Sequence, residues 1–481
     1  MTELTDRKRW LALYVLCLGD LMIVLDGTIV NVALPSIRDD LGFSQTSLAW
    51  VVNAYLLTFG GFLLLGGRLG DLFGHRRLFL AGIALFTTAS LACGISTTQG
   101  MLVAARAVQG AGGAVVSAVA LSLLMTLFTE QADRAKAMGV FGFVLSGGGV
   151  LGVLAGGILT DLLSWHWIFL VNLPVGVAVY LLSLRLLPTA RGPAATGRVD
   201  VAGAIAVTGA LMLAVYAIVN GNEQGWTSAR TLGMLGAAAG LLVAFLAIEA
   251  RVSSPLMPLG LFRNRNVSTA NVVGALMAAG MFAYFFFSAL YLQLVLGYSP
   301  LEVGLAYLPG TVVWGASSLL LSDRLVMRLG IKAPLLTGLG LMTLALLLLA
   351  RTPVDGNWAV DVLPATIAVG IGAGIAFNPI LLAAMSGVAP EQAGLASGVV
   401  NTAFMMGGAV GLAVLASLAS SRSDTLLSSG HDSLAALNGG YHVAFVVGAI
   451  FIVAAGSVAA ALLRVAAPEH EELVPVGVEA D

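Results

Sequence analysis

The sequence predicts an all-α, polytopic membrane protein of about fourteen transmembrane helices, arranged as two pseudo-symmetric six-helix halves with an inserted helix pair. Three observations lead there. Apolar residues make up 58% of the 481 residues and charged residues only 10%, against about 45–50% and 25% in a typical soluble domain, so too little polar surface is available for solution in water. Runs of about 17–30 mostly apolar residues, each long enough to cross a bilayer, fall near 10–34, 48–67, 78–96, 101–128, 136–163, 166–187, 200–219, 231–249, 267–296, 303–321, 333–350, 359–384, 394–419 and 441–463. Counted through those runs with the N-terminus inside, eighteen of the 23 Lys and Arg fall on the inner side. Arg38, Arg230, Arg351 and Arg422 fall outside, and Arg106 lies within a run. Positive charge favours the cytoplasmic side, so this segregation supports the parity of the count and places both termini in the cytoplasm.

An internal repeat supports the division into halves. Arg68-Leu-Gly-Asp-Leu-Phe-Gly74-His-Arg76 aligns with Arg324-Leu-Val-Met-Arg-Leu-Gly330-Ile-Lys332 at an offset of 256, and the region 137–152 aligns with 396–411 at an offset of 259. Near-equal offsets imply a bundle over 1–187, a linker and inserted pair over 188–265, a second bundle over 266–467 and a cytoplasmic tail over 468–481. The connection 188–198 reads as structureless, and 420–440 as a Ser/Asp/Gly-rich outer loop. Arg7-Lys8-Arg9 ahead of an apolar run imitates a signal peptide, but the run is too long and no small-residue cleavage pattern follows, so an uncleaved first span is expected.

The first run contains the chemistry. Asp20, Asp26 and Asn31 interrupt a stretch that is otherwise nearly all apolar. A carboxylate at mid-helix costs about 2.5–3.5 kcal/mol on insertion, which makes it a functional-site candidate. Arg106 in the fourth run and Asp26 in the first both lie about 9–12 Å below the outer surface at 1.5 Å per residue, so an ion pair or a water-linked relay can join them. The bland alternative has Arg106 snorkelling outward and Asp26 capping local backbone. Asp20 is a second candidate, roughly 240° round the helix from Asp26 and so on a different face.

Other features are weighed the same way. Gly67-Arg68-Leu-Gly70-Asp71-Leu-Phe-Gly74-His75-Arg76-Arg77 forms a short inner loop. Its Asp71, framed by glycines and arginines, suits a charge cluster that breaks and re-forms as an inner gate moves, while the positive-inside bias alone explains Arg76 and Arg77 taken singly. Gly148, Gly152 and Gly156, with Gly157 beside them, run up one face of the fifth run, where close helix packing is the simplest explanation. Trp165, Trp167 and Trp226 fit an interfacial belt. Cys17 and Cys93 are the two cysteines and both lie in apolar runs, so no disulfide framework is expected. Dispersed basic residues argue against nucleic-acid binding. The sequence contains no phosphate-binding loop, zinc-ligand spacing or nucleophile elbow, so no cofactor and no enzyme activity is expected.

The inner loop resembles the signature of the major facilitator superfamily, with His75 in its first basic slot. Leu102-x-x-x-Arg106-x-x-Gln109-Gly110-x-Gly112 resembles that family's second motif. Leu25-Asp26-Gly-Thr28-Ile-Val-Asn31-Val-Ala-Leu-Pro35 and Trp165-His-Trp167-Ile-Phe169-Leu-Val-Asn172-Leu-Pro174 are similar to the fourteen-span drug:proton antiporter branch. The resemblance implies export of hydrophobic or amphipathic compounds in exchange for protons, with no cofactor beyond the proton gradient. It further implies a monomer in the cell membrane whose partners are a small-molecule substrate, protons and lipid. Asp26, Asp20 and Arg106 are the proton-coupling candidates. Spans one, four, nine and twelve would line a central cavity, which makes Asn31, Gln109, Tyr284, Phe287, Tyr291 and Asn378 candidates for substrate contact. The antiporter motif of the fifth span is incomplete, since Val153 stands where the family has proline. A proton symporter or a dedicated metabolite exporter of the same fold therefore stays open as an alternative.

Overall fold

A lipid interior offers backbone groups no water, so a spanning segment must satisfy its own hydrogen bonds, and long apolar runs become helices. The computed structural model describes residues 6–128, 130–188, 200–252, 255–388 and 390–464. The linker around 189–199 and the expected tail lie outside these. Fourteen long helices follow in order: α1 (Asp6–Leu41), α2 (Trp50–Phe73), α3 (His75–Gly94), α4 (Gln99–Leu127), α5 (Gln131–Leu162), α6 (Asn172–Leu186), α7 (Val201–Val219), α8 (Ala229–Glu249), α9 (Arg265–Leu290), α10 (Pro300–Ser317), α11 (Lys332–Leu349), α12 (Leu363–Met385), α13 (Pro390–Ser428) and α14 (Ser433–Leu462). Among the described residues thirteen helices are apolar and long enough to cross a membrane, and α5 contributes the apolar stretch Leu151–Leu162. No strand occurs among the described residues.

Helix starts are set by short polar side chains that accept orphan backbone N–H groups. Thr98 accepts from Met101, Asp200 from Gly203, Ser228 from Thr231, and Asn264 from Asn266 and Val267. Ser299 and Glu302 form a reciprocal capping box ahead of α10. The tight inner turn between α2 and α3 falls on Gly74, whose φ of 94° disfavours any residue with a Cβ.

Helices α1–α6 pack into one bundle and α9–α14 into another. The bundles meet along two seams, α5 against α10 and α2 against α13, and α1 meets α9 between them. The inserted pair α7–α8 lies over the second seam, with α7 touching both α2 and α13. Glycines set the close approaches. On α5, a Cβ at Gly148 would meet Leu21 and Val24, and one at Gly156 would meet the Ile29 carbonyl oxygen at 2.6 Å. Gly152 faces Thr28 and the Leu25 carbonyl, so this stripe seats α5 directly on α1. Gly157 turns the other way, to the Pro300 carbonyl across the seam.

Two expectations are corrected. Residues 420–440 are almost wholly helical: α13 and α14 continue past the apolar run and turn only at 429–432, where Gly430 takes a φ of 87°. The cause is Gly439 and Gly440, which let the two helices close onto Leu426, Ser423 and the Ala419 carbonyl. Trp165 is not a lipid-facing belt residue. It is 4% exposed and donates its indole N–H to Asp40 at 2.9 Å, fastening the outer ends of α1 and α5.

Gly156→Ala should lower the thermal midpoint of the purified protein, an overpacking loss of about 1–3 kcal/mol. Gly139→Ala on the same helix, where a Cβ meets nothing within 4 Å, should leave the midpoint unchanged or higher, as followed by thermal unfolding in detergent.

Candidate functional site

Asp26 and Arg106 come together inside the first bundle. Neither side chain has any solvent exposure, and Arg106 Nη1 pairs with Asp26 Oδ2. Neutral amides complete the cluster. Gln109 Nε2 donates to Asp26 Oδ1 at 2.7 Å and to Ser90 Oγ at 2.7 Å, while its carbonyl oxygen accepts from Arg106 Nη1 at 2.7 Å. Asn172 Nδ2 donates to Asp26 Oδ1 at 3.1 Å. Arg106 Nε donates to the Val51 carbonyl at 3.0 Å, and its guanidinium lies 4.3 Å from the centre of the Tyr55 ring and 5.6 Å from that of Phe169.

The local sequence explains the arrangement. Arg106 and Gln109 are three residues apart on α4, so they share a face. Asn172 opens α6 after a short helical turn, Trp167–Leu170, and points into the bundle from its outer end. Buried ionic groups are tolerated when paired and fully hydrogen-bonded, because desolvation otherwise exceeds the attraction. The chemistry available is capture and release of a proton. Desolvation favours a neutral acid and a nearby guanidinium favours the carboxylate, so at such a pair the two effects oppose each other.

Asp20 stands apart from this cluster. It is 2% exposed, its Oδ1 accepts from Ser117 Oγ of α4 at 2.7 Å, and its Oδ2 meets no donor among the described residues. Asn31 folds back on its own helix, its amide donating to the Thr28 carbonyl at 3.2 Å.

The substrate-contact candidates divide. Gln109 belongs to the buried ion-pair cluster rather than to a cavity wall. Phe287 packs on Tyr441 and Phe445 of α14, and Tyr291 donates to the Pro353 carbonyl at 2.7 Å. The rotation of α9 thus turns both into the second bundle's packing, and the expectation that they line a central cavity is corrected. Tyr284 borders a small cavity with Phe285, Thr311, Trp314 and Thr366, and Asn378 is half-buried on α12. In the inner loop, Arg76 donates to the Leu184 carbonyl at the end of α6. Gly67 faces Ala118, and the Asp71 side chain lies outside the described residues. Sequence reasoning gave no role to Ser90, Tyr55, Ser117 or Asn172. Only Asn172 had a signal, its place in a motif. Among the described residues no group of three or more His, Cys, Asp or Glu is placed to hold a metal ion.

Two bundles built from helices long and apolar enough to cross a membrane define a multi-pass membrane protein, and the family it belongs to is one of transporters, not enzymes. The chain belongs to the Major Facilitator Superfamily, whose family model matches residues 16–412. It is 40% identical to a puromycin resistance protein of Streptomyces alboniger over 457 residues, covering 93% of this chain and 90% of the relative. It is 38% identical to a cephamycin export protein of Amycolatopsis lactamdurans, covering 84% of each. In fold it is similar to a bacterial homolog of the human lysosomal transporter Spinster, solved inward-facing and unoccupied, with a TM-score of 0.67, 18% identity and coverage of 95% and 97%.

Removing one partner of a buried pair strands the other. Arg106→Met should destabilise the protein by about 3–5 kcal/mol. Asp26→Asn added to that background should recover part of the loss, with the coupling read from a double-mutant cycle of unfolding midpoints.

Proposed function

We propose that this protein is a secondary active exporter that expels an amphipathic or hydrophobic antibiotic-like compound in exchange for inward-moving protons, one bundle rocking against the other across the membrane. The observation that carries this reading is the Asp26–Arg106 pair, buried with its amide partners inside the first bundle. Asp26 is the proton-carrying group, Arg106, Gln109 and Asn172 set its affinity for the proton, and Asp20 with Ser117 is a second acid on the inner side of it. The inner loop around Arg68, Arg76 and Arg77 gates the opposite end. Both termini face the cytoplasm, the protein resides in the cell membrane and it acts as a monomer. It needs no cofactor beyond the proton gradient, in which each proton gains about 2.3 kcal/mol per 100 mV of inside-negative potential. That exceeds the 1.4 kcal/mol of a tenfold gradient of neutral cargo.

Substrate identity is supported by the relatives, of which one confers puromycin resistance and another exports cephamycin. A dedicated exporter of one antibiotic is the second reading, favoured by the cephamycin export protein and by Val153 in place of the motif proline.

Reconstituted vesicles with an imposed pH gradient and puromycin as the trial cargo test the mechanism. Wild type should accumulate the cargo against its gradient. Asp26→Asn should abolish accumulation while leaving cargo exchange at equal concentrations intact, and Asp20→Asn should weaken it less. Accumulation that persists in both single variants and in the double variant would overturn the assignment of these acids. Accumulation driven by ATP alone, without an ion gradient, would overturn the mechanism.

A further inference from the structure

At the end of the molecule where α1 begins and α14 ends, α7 begins and α8 ends, and two carboxyl side chains approach each other there. Asp200 is 4% exposed and Glu249 3%. Each has one oxygen committed to backbone: Asp200 Oδ1 accepts the Gly203 N–H at 2.7 Å, and Glu249 Oε2 accepts the Met257 N–H at 3.1 Å. Their other oxygens, Asp200 Oδ2 and Glu249 Oε1, receive no donor. Both of these sit against Gly203, in the space a Cβ there would fill, so the two carboxyl groups face each other across it.

Two carboxylates in contact and out of water cannot both stay ionised, whereas one proton between them turns repulsion into a hydrogen bond. It would satisfy both orphan oxygens at once. Among the described residues no basic side chain is in contact with either carboxyl group. The charge acting on Glu249 comes from Asp200, Arg251 two residues further on is exposed, and the α2 side chains packed on this corner are Phe62, Leu65 and Leu69. Leu256, next to the Met257 amide that Glu249 holds, is buried against Leu65 and Ala204. The pair therefore ties the start of α7, the end of α8 and the segment leading into α9.

We propose that Asp200 and Glu249 share a single proton and act as a proton-dependent latch, fastening the Leu256–Met257 segment, and through it the connection into the second bundle, to the inserted helix pair. With the proton in place the latch is closed. As the pH rises and the proton leaves, two negative charges face each other and Glu249 releases the Met257 amide. The latch operates whether or not Asp26 carries the transported proton, since neither of its residues touches that cluster.

Hydrogen–deuterium exchange of the purified full-length protein, read on peptides covering 255–262 and corrected for intrinsic exchange, tests this between about pH 6 and 9.5. Protection in wild type should fall at least about tenfold across that range. Glu249→Gln and Asp200→Asn keep the contact through an amide N–H with no proton to lose, and they should stay protected throughout. Infrared difference spectra should show a protonated-carboxyl band in wild type at neutral pH that is lost in either variant. Wild-type protection that does not change with pH, or wild-type spectra lacking a carboxyl band that the variants remove, would overturn the proposal. So would protection at high pH restored by millimolar magnesium or calcium, which would make the pair a cation site. Should the variants fail to fold, the wild-type exchange profile alone decides.

Discussion

A guanidinium and a carboxylate, both without solvent contact, are the constraint around which the first bundle is built. In so dry a setting their attraction is strong, but taking both from water costs as much or more, so the pair persists only if its remaining donors and acceptors are largely met. Five helical segments supply most of those partners, and the Tyr55 ring face lies against the guanidinium, whose Nη2 has no hydrogen-bond acceptor among the described residues. α1 gives Asp26, α2 the Val51 carbonyl and the Tyr55 ring, α3 Ser90, α4 Arg106 and Gln109, and the entry to α6 Asn172 and Phe169. Displacing α1, α2, α4 or the entry to α6 removes a partner from one of the two buried charges, and displacing α3 removes one from the amides that hold them.

Helix α1 passes that geometry on. One side of it holds the acid, and another is seated on the glycine stripe of α5 so closely that backbone meets backbone. Farther along it, the Val32 carbonyl accepts a hydrogen bond from across the molecule, from Gln293 after α9, at 2.8 Å. Separation of the bundles there must break that bond, six residues along the same helix from Asp26. The acid and that contact between bundles are therefore borne by one rigid rod.

What the sequence made legible follows from energetics. Charges inside apolar runs are costly enough to stand out, so Asp20, Asp26 and Arg106 were identifiable, and matched depth was enough to bring two of them together. Neutral polar residues are cheap and frequent, so Ser90 and Ser117 carried no signal, and Gln109 was assigned to the wrong surroundings. Residues 277–292 are buried nearly all round, so no apolar stripe marks how that part of α9 is turned, and Phe287 and Tyr291 could not be separated from Tyr284. The outer hairpin read as a loop because serine, aspartate and glycine favour turns, whereas here small residues serve to bring two helices together. Asp200 and Glu249 lie 49 positions apart in the sequence, and only the pairing of α7 with α8 joins them.

The two bundles differ in where their charge lies. Between Arg265 and Arg464 every Asp, Glu, Lys and Arg falls near a helix end or in a connection, so the second bundle has no ionic residue at the depth of Asp26. Substitutions lining its interior, at positions such as Tyr284 or Trp314, exchange one uncharged surface for another and leave no stranded charge behind. A change of shape or hydrogen bonding in that half therefore meets no desolvation penalty of the kind the ion pair imposes on the other. Tolerance to remodelling and intolerance of it thus fall in different halves of one continuous chain.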